Sequence, residues 1–175
     1  MSDVSVDVLT ESAKALIDLC AENGLMIGTV ESCTGGLVAG TLTEIPGSSS
    51  AVAGGMVTYS NELKMALAGV PESALAAHGA VSAPVALAMA EGGRQRMACD
   101  LCISITGVAG PSGGSPEKPV GLVHFARTAE GLEPIHREMR FGELGRQRIR
   151  LESVRVALEM LHEAASQIQA TRSRP

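Results

Sequence analysis

The stretch from residue 24 to 42 constrains the fold of this chain more than any other. An apolar run, Gly24-Leu25-Met26-Ile27-Gly28-Thr29-Val30, reads as a buried strand. Leu37-Val38-Ala39-Gly40-Thr41-Leu42 reads as a helix. Between them stands Glu31-Ser32-Cys33-Thr34-Gly35-Gly36, so hydroxyls, a thiol and two glycines are concentrated where a strand gives way to a helix. In open α/β sheets that is where ligands bind. Free N–H groups at a helix start attract anions, and glycines let a ligand approach the backbone closely. A phosphate or carboxylate suits such a junction. A plain helix start with Thr34 as its N-cap accounts for the same residues.

The flanking pattern extends this unit into a fold. Residues 5–22 have helical spacing that puts Val8, Ala15, Leu16, Leu19 and Cys20 on one face, and Asn23-Gly24 closes the helix. After the helix that follows the glycines, 46–50 is a loop and 56–60 a second strand. Asn61 caps a helix over 61–68, and a short helix follows over 71–77. Ser82 caps a helix to Met97, with Pro84 in its first turn. A buried strand at 101–106 opens into a long loop, 107–119, of the kind that is usually functional. Strands at 120–126 and 135–141 pair across Glu130-Gly131, and a helix over 144–167 ends the fold. The order implies one α/β domain over residues 1–169, a three-layer α/β/α sandwich with a mixed, mostly parallel sheet. Residues 170–175 are expected to be a frayed tail.

Composition removes several classes of function. The only aromatic residues are Tyr59, Phe125 and Phe141, so the core is aliphatic and no stacking platform for single-stranded nucleic acid exists. The net charge of −5 also speaks against a nucleic-acid partner. The first five residues carry no basic n-region, and no apolar run reaches the about 20 residues of a membrane span. No signal peptide and no membrane contact are expected. Four scattered cysteines suit a reduced, cytoplasmic setting. Cys99 and Cys102 form C-x-x-C but lack a second ligand pair; three apart in an apolar strand, they are expected on opposite faces as buried structural thiols. His78, His124, His136 and His162 have no metal-ligand spacing, though His78 at a helix end could line a pocket. Neither a metal nor a cofactor is expected.

The residues with chemical promise lie elsewhere. Lys64 falls in the first turn of its helix, where the dipole and partial burial both disfavour the ammonium form. A lysine of lowered pKa can take the proton of a serine hydroxyl, the logic of a Ser–Lys dyad. Ser48, Ser49 and Ser50, just before the strand that leads to Lys64, are candidate nucleophiles, and so is Ser32. Tyr59 can relay a proton or orient the lysine. Arg146, Arg148 and Arg150 crowd the start of the last helix against its dipole, which suggests pairing with glutamates or with a bound anion.

These segments together resemble the CinA C-terminal domain family. The motifs that carry the resemblance are the 31–36 hexapeptide, Gly47-Ser48-Ser49, Val57-Thr58-Tyr59-Ser60-Asn61 with Lys64, His78-Gly79-Ala80-Val81-Ser82, and the glycine-rich 107–114, all in family order. The resemblance spans residues 8–165, and its stand-alone members include nicotinamide mononucleotide deamidases. It implies hydrolysis of the carboxamide of nicotinamide mononucleotide to nicotinic acid mononucleotide and ammonia, in pyridine nucleotide recycling. It further implies Ser49 as nucleophile, Lys64 as base and Tyr59 as an assisting hydroxyl. Glu31, Ser32, Thr34, Gly35, Gly36, Ser48, Thr106, Gly107 and Arg146 are implied to bind substrate, Arg146 through the phosphate. From the residues alone, Ser32 and Ser49 both stand as nucleophile. The partner expected is this nucleotide or a similar small carboxamide, with homo-oligomerisation as the default assembly. The reading from a different class is a catalytically silent ligand-binding or interaction module linked to competence or DNA damage.

Overall fold

The computed structural model describes residues 5–173. α1 (Val6–Glu22) starts where the Ser5 hydroxyl accepts the Val8 N–H, and its buried residues are Leu9, Ala13, Leu16, Ile17 and Cys20. The buried stripe is therefore rotated from the expected one. Val8 and Ala15 face out, because α1 packs on the C-terminal helix with the side that carries Leu16 and Ile17.

β1 (Ile27–Glu31) is buried at every position. α2 (Leu37–Thr43) comes after the glycine turn, and one 3-10 turn (Ser48–Ser50) occupies the expected loop. β2 (Val52–Val57) lies upstream of the expected 56–60. Its Ala53-Gly54-Gly55 centre has little strand propensity, so pairing with β1 defines it rather than side-chain type. Gly55 is required there, since a Cβ would stand 2.7 Å from the Thr29 Oγ1. Then come α3 (Asn61–Ala68), α4 (Glu72–His78), α5 (Ala83–Met97), β3 (Leu101–Gly107), β4 (Leu122–Ala129), β5 (Leu132–Arg140) and α6 (Arg146–Arg172).

The strand order is β2-β1-β3-β4-β5. β1 runs parallel to β2 and β3, while β3–β4 and β4–β5 are antiparallel. The three-layer α/β/α fold with a mixed sheet is as expected, but parallel and antiparallel pairings divide evenly rather than being mostly parallel. α1, α2 and α6 cover one face and α3, α4 and α5 the other.

The larger core, under α1 and α6, is mostly aliphatic, with Phe125 buried in it and Phe141 packed against it. Each fully buried Leu or Ile there contributes about 1.5–3 kcal/mol. Val30, Val70, Val85 and Met89 build a second cluster under α5. Cys99 and Cys102 both join this cluster rather than facing apart, and their thiols reach the Arg94 and Ile103 carbonyls at 3.9 and 4.0 Å. Cys99 precedes β3 and so escapes the alternation of the strand. His124 and His136 stack across β4 and β5 with ring nitrogens 2.9 Å apart, and His78 is exposed at the end of α4.

α6 continues through Arg172, past the expected end at 167, because Ile168 is buried and Arg172 donates to the Asn23 carbonyl at 2.8 Å. The tail expected from residue 170 thus begins no earlier than Ser173. Residues 174–175 of that tail lie outside the described residues, as do residues 1–4, on which the expectation of no signal peptide chiefly rested. No helix among the described residues is long and apolar enough to cross a membrane.

Candidate active site

Two parallel neighbours in a sheet deliver the chain leaving each of them to the same end of that sheet. Ser32 comes directly after β1, and Lys64 lies in the helix after its parallel neighbour β2. The lysine Nζ stands 3.1 Å from the Ser32 Oγ. It also lies 2.8 Å from the Thr58 carbonyl oxygen and 3.4 Å from that of Tyr59. Lys64 is only 1% exposed and Ser32 is 9% exposed. Burial pushes the Lys64 amine below its usual range, with the neighbouring Cys33 opposing the shift. A neutral amine has two N–H donors and one lone pair. In that state the two carbonyls can take the two donors, and the lone pair can face the Ser32 hydroxyl.

Cys33, beside Ser32, is a different matter. Burial pushes its thiol up to about 12, so it stays protonated and inert at neutral pH.

α3 is capped by Ser60, whose hydroxyl accepts the Leu63 N–H at 3.2 Å, not by Asn61. Asn61 lines the cleft instead. An asparagine at this position also makes a good cap, so its place in the cleft leaves no separate mark on the sequence.

The turn that carries Ser32 is held from inside. Gly35 and Gly36 have φ of +61° and +95°, a backbone that L side chains rarely adopt. The Glu31 carboxylate accepts the N–H groups of Gly36, Val38 and Ala39 at 3.0, 3.1 and 2.8 Å. The anion expected at the start of α2 is therefore the protein's own. Neither Glu31, Gly35 nor Gly36 lines the cleft, and Thr34 does not cap α2. Thr34 is buried, with its Oγ1 unpartnered among the described residues, and its carbonyl accepts Arg150 at 2.9 Å. These four expected substrate contacts become structural supports of Ser32.

Ser48 and Ser49 are not brought to the site. Their 3-10 turn precedes β2, and the next carbonyl, of Ala51, accepts the Ile27 N–H at the start of β1. They sit at the opposite end of the sheet from Lys64, so the serine beside Lys64 is Ser32 and not Ser49.

The cleft around Ser32 and Lys64 has a volume of about 300 Å³. Thr106 and Gly107 line it, as does the backbone through Gly110. The Thr106 hydroxyl donates to the Ala80 carbonyl at 2.9 Å, tying the 78–82 segment to the end of β3. Gly107 is a glycine because β4 passes close by: a Cβ would meet the Leu122 carbonyl oxygen at 2.7 Å. Arg146, at the first position of α6, donates to the Gly110 carbonyl at 3.0 Å and to the Tyr59 hydroxyl at 3.3 Å. Tyr59 is 60% exposed, so this pair forms the outer wall of the cleft. A buried Ser–Lys pair, a phenol and a guanidinium at the mouth can activate a hydroxyl and hold an anionic substrate.

Comparison with known proteins agrees with this architecture. A sequence model of the CinA C-terminal domain matches residues 9–165. A CinA-like protein of Gemmatimonas aurantiaca is 48% identical over 152 residues, 87% of this chain and 35% of that protein. One from Mycobacterium tuberculosis is 46% identical over 163 residues, 92% of this chain and 38% of that protein. The chain thus spans about a third of the length of these curated relatives. Among solved structures, the competence/damage inducible protein CihA of Agrobacterium tumefaciens superposes with a TM-score of 0.88 at 50% identity, covering 90% of this chain and 95% of that one. A CinA superfamily protein of Klebsiella pneumoniae gives 0.86 at 31% identity, covering 91% and 98%.

Proposed function

The chain belongs to the CinA C-terminal domain family, and from this membership and the buried Ser32–Lys64 pair we propose that it is a nicotinamide-nucleotide amidohydrolase. The substrate is nicotinamide mononucleotide, and the products are nicotinic acid mononucleotide and ammonia. The observation that carries the reading is the 3.1 Å contact between Ser32 and a buried lysine whose pKa burial lowers.

In the proposed reaction the Ser32 Oγ attacks the carboxamide carbon and its proton passes to the Lys64 Nζ. The C–N bond then breaks, and the lysine returns the proton to the leaving ammonia. A water attacks the resulting ester with Lys64 as base again, freeing the acid and restoring the serine. Tyr59 accepts a hydrogen bond from Arg146, so its own O–H is left as a donor to the substrate. Arg146 faces the phosphate at the mouth. The setting proposed is cytoplasmic, with the nucleotide as the only partner the cleft requires.

The test is incubation of the purified protein with nicotinamide mononucleotide, measuring both products. Ser32→Ala and Lys64→Ala are expected to abolish turnover while keeping the fold, and Ser49→Ala to retain it. A folded wild type with no turnover would remove the deamidase reading. It would return weight to the silent binding module suggested by the competence-related names of the relatives.

A further inference from the structure

We infer that Arg150 is a positioning residue for Ser32, setting the geometry of the nucleophile from α6 without touching substrate. The inference deepens the proposed amidohydrolase function and rests on it for the identity of the nucleophile.

Three arginines crowd the start of α6 against its dipole. The structure separates their work. Arg146 stands at the cleft mouth on Gly110 and Tyr59. Arg148 pairs with Glu152 at 3.1 Å along its own helix. Arg150, one turn beyond Arg146, crosses to the Ser32 turn and donates to the Thr34 carbonyl at 2.9 Å. Its guanidinium lies against the turn, since a Cβ on Gly35 would be 3.5 Å from its Nη2.

Two observations argue that this contact is not incidental. Arg150 makes no ion pair with a carboxylate among the described residues, although glutamates flank its neighbours on the helix. Its Nε is buried without a hydrogen-bond partner among the described residues. The side chain as a whole is half-buried, and leaving that N–H without a partner is costly for stability alone. The carbonyl it holds lies two residues after Ser32. The start of the same turn is fixed by the Ser32 N–H on the Ile105 carbonyl, 2.9 Å, and its far end by Glu31. Arg150 braces the middle, where a small shift would change the distance from Ser32 to Lys64.

The prediction is a division between two arginines one turn apart. Arg150→Ala lowers kcat by roughly ten- to a hundredfold, the scale of a misplaced reacting group, and leaves KM near its wild-type value. Arg150→Lys restores part of the loss. Arg146→Ala raises KM instead. A readout independent of the substrate is the rate at which a fluorophosphonate labels Ser32, followed by intact mass. Arg150→Ala is expected to slow it by a similar factor. Arg148→Ala, which loosens the same helix away from the site, leaves it unchanged. Wild-type labelling by Arg150→Ala, or an equal slowing by Arg148→Ala, would overturn the inference. A wild type that labels at Ser32 but does not turn over the nucleotide removes the proposed substrate and leaves the positioning role to be read from labelling. A wild type that does not label at all removes both.

Discussion

Glu31→Gln perturbs the site from behind, at a side chain that never reaches the cleft. The carboxylate accepts four hydrogen bonds. One oxygen takes Gly36 and Val38, and the other takes Ala39 and the Thr29 hydroxyl at 3.2 Å. Glutamine keeps one acceptor oxygen. In its better orientation the amide still serves Gly36 and Val38, and its NH2 group then faces the Ala39 N–H. One buried donor loses its partner, at a cost of about 1–3 kcal/mol, and the two surviving bonds lose the strength that charge gave them. The favourable interaction of an anion with the start of α2 is lost as well. Easier burial of a neutral amide offsets part of this. The net loss is about 2–4 kcal/mol, a large share of the roughly 5–15 kcal/mol that holds a typical domain together. For a chain of this size that lowers Tm by roughly 4–16 °C. Urea unfolding should show a lower midpoint with an unchanged slope, and amide exchange should accelerate at residues 36, 38 and 39. A Tm drop of less than about 2 °C with unchanged exchange would refute the idea that the carboxylate secures this turn.

The pH profile tests the state of Lys64. A protonated amine cannot accept the serine proton, so kcat/KM should fall as pH falls through the lysine's pKa, which burial sets below its usual 10.5. A flat profile between about pH 6 and 10, or an acid limb centred on the ordinary lysine value, would contradict the assignment. Stability should follow the same group. Between the lowered folded pKa and 10.5 the unfolded chain holds a proton that the folded one has released, so stability rises with pH across that window. Gly92→Ala tests the seating of α3. A Cβ there would stand 1.6 Å from the Ala68 carbonyl oxygen, so α3 must back away from α5 and carry Lys64 with it. A loss of about 1–3 kcal/mol or more is expected, with slower labelling of Ser32. Wild-type melting together with wild-type labelling would sink this account.

Much of the architecture was legible because burial leaves a direct mark on sequence. The apolar run around Ile27 and Val30 and the helix before it fell where the structure has them, and the hairpin near Gly131 did so with strand ends shifted by one to three residues. β2 was displaced because Ala53-Gly54-Gly55 carries no side-chain signature of a strand. The residues that do carry one, Thr58 and Tyr59, leave the sheet and turn their carbonyls toward Lys64. The choice between Ser32 and Ser49 was open to a rule of strand polarity. Lys64 comes after β2 and Ser49 before it, so a parallel β1–β2 pair can bring Lys64 only to a residue that comes after β1. Arg150 stood out in the sequence, but its partner did not, since the contact with Thr34 spans 116 positions and depends on how α6 docks. The Glu31 contact is local but hidden. A carboxylate at the end of a strand reads as a solvated or ligand-facing group until the helix start is seen to turn back over it.

The burial that lowers the Lys64 pKa exists only while the chain is native. Once unfolded, the lysine is an ordinary cation and Ser32 is one serine among many, with no reason to react. On the proposed mechanism, a covalent mark on Ser32 is therefore a census of folded molecules. Added briefly along a denaturant series, a serine-directed reagent would tag the native population and pass over the rest, giving an unfolding curve by mass alone. In a cell extract the same tag would give the native share of a variant without purification. A mutation could then be sorted at once as one that empties the folded state or one that leaves it full and unreactive.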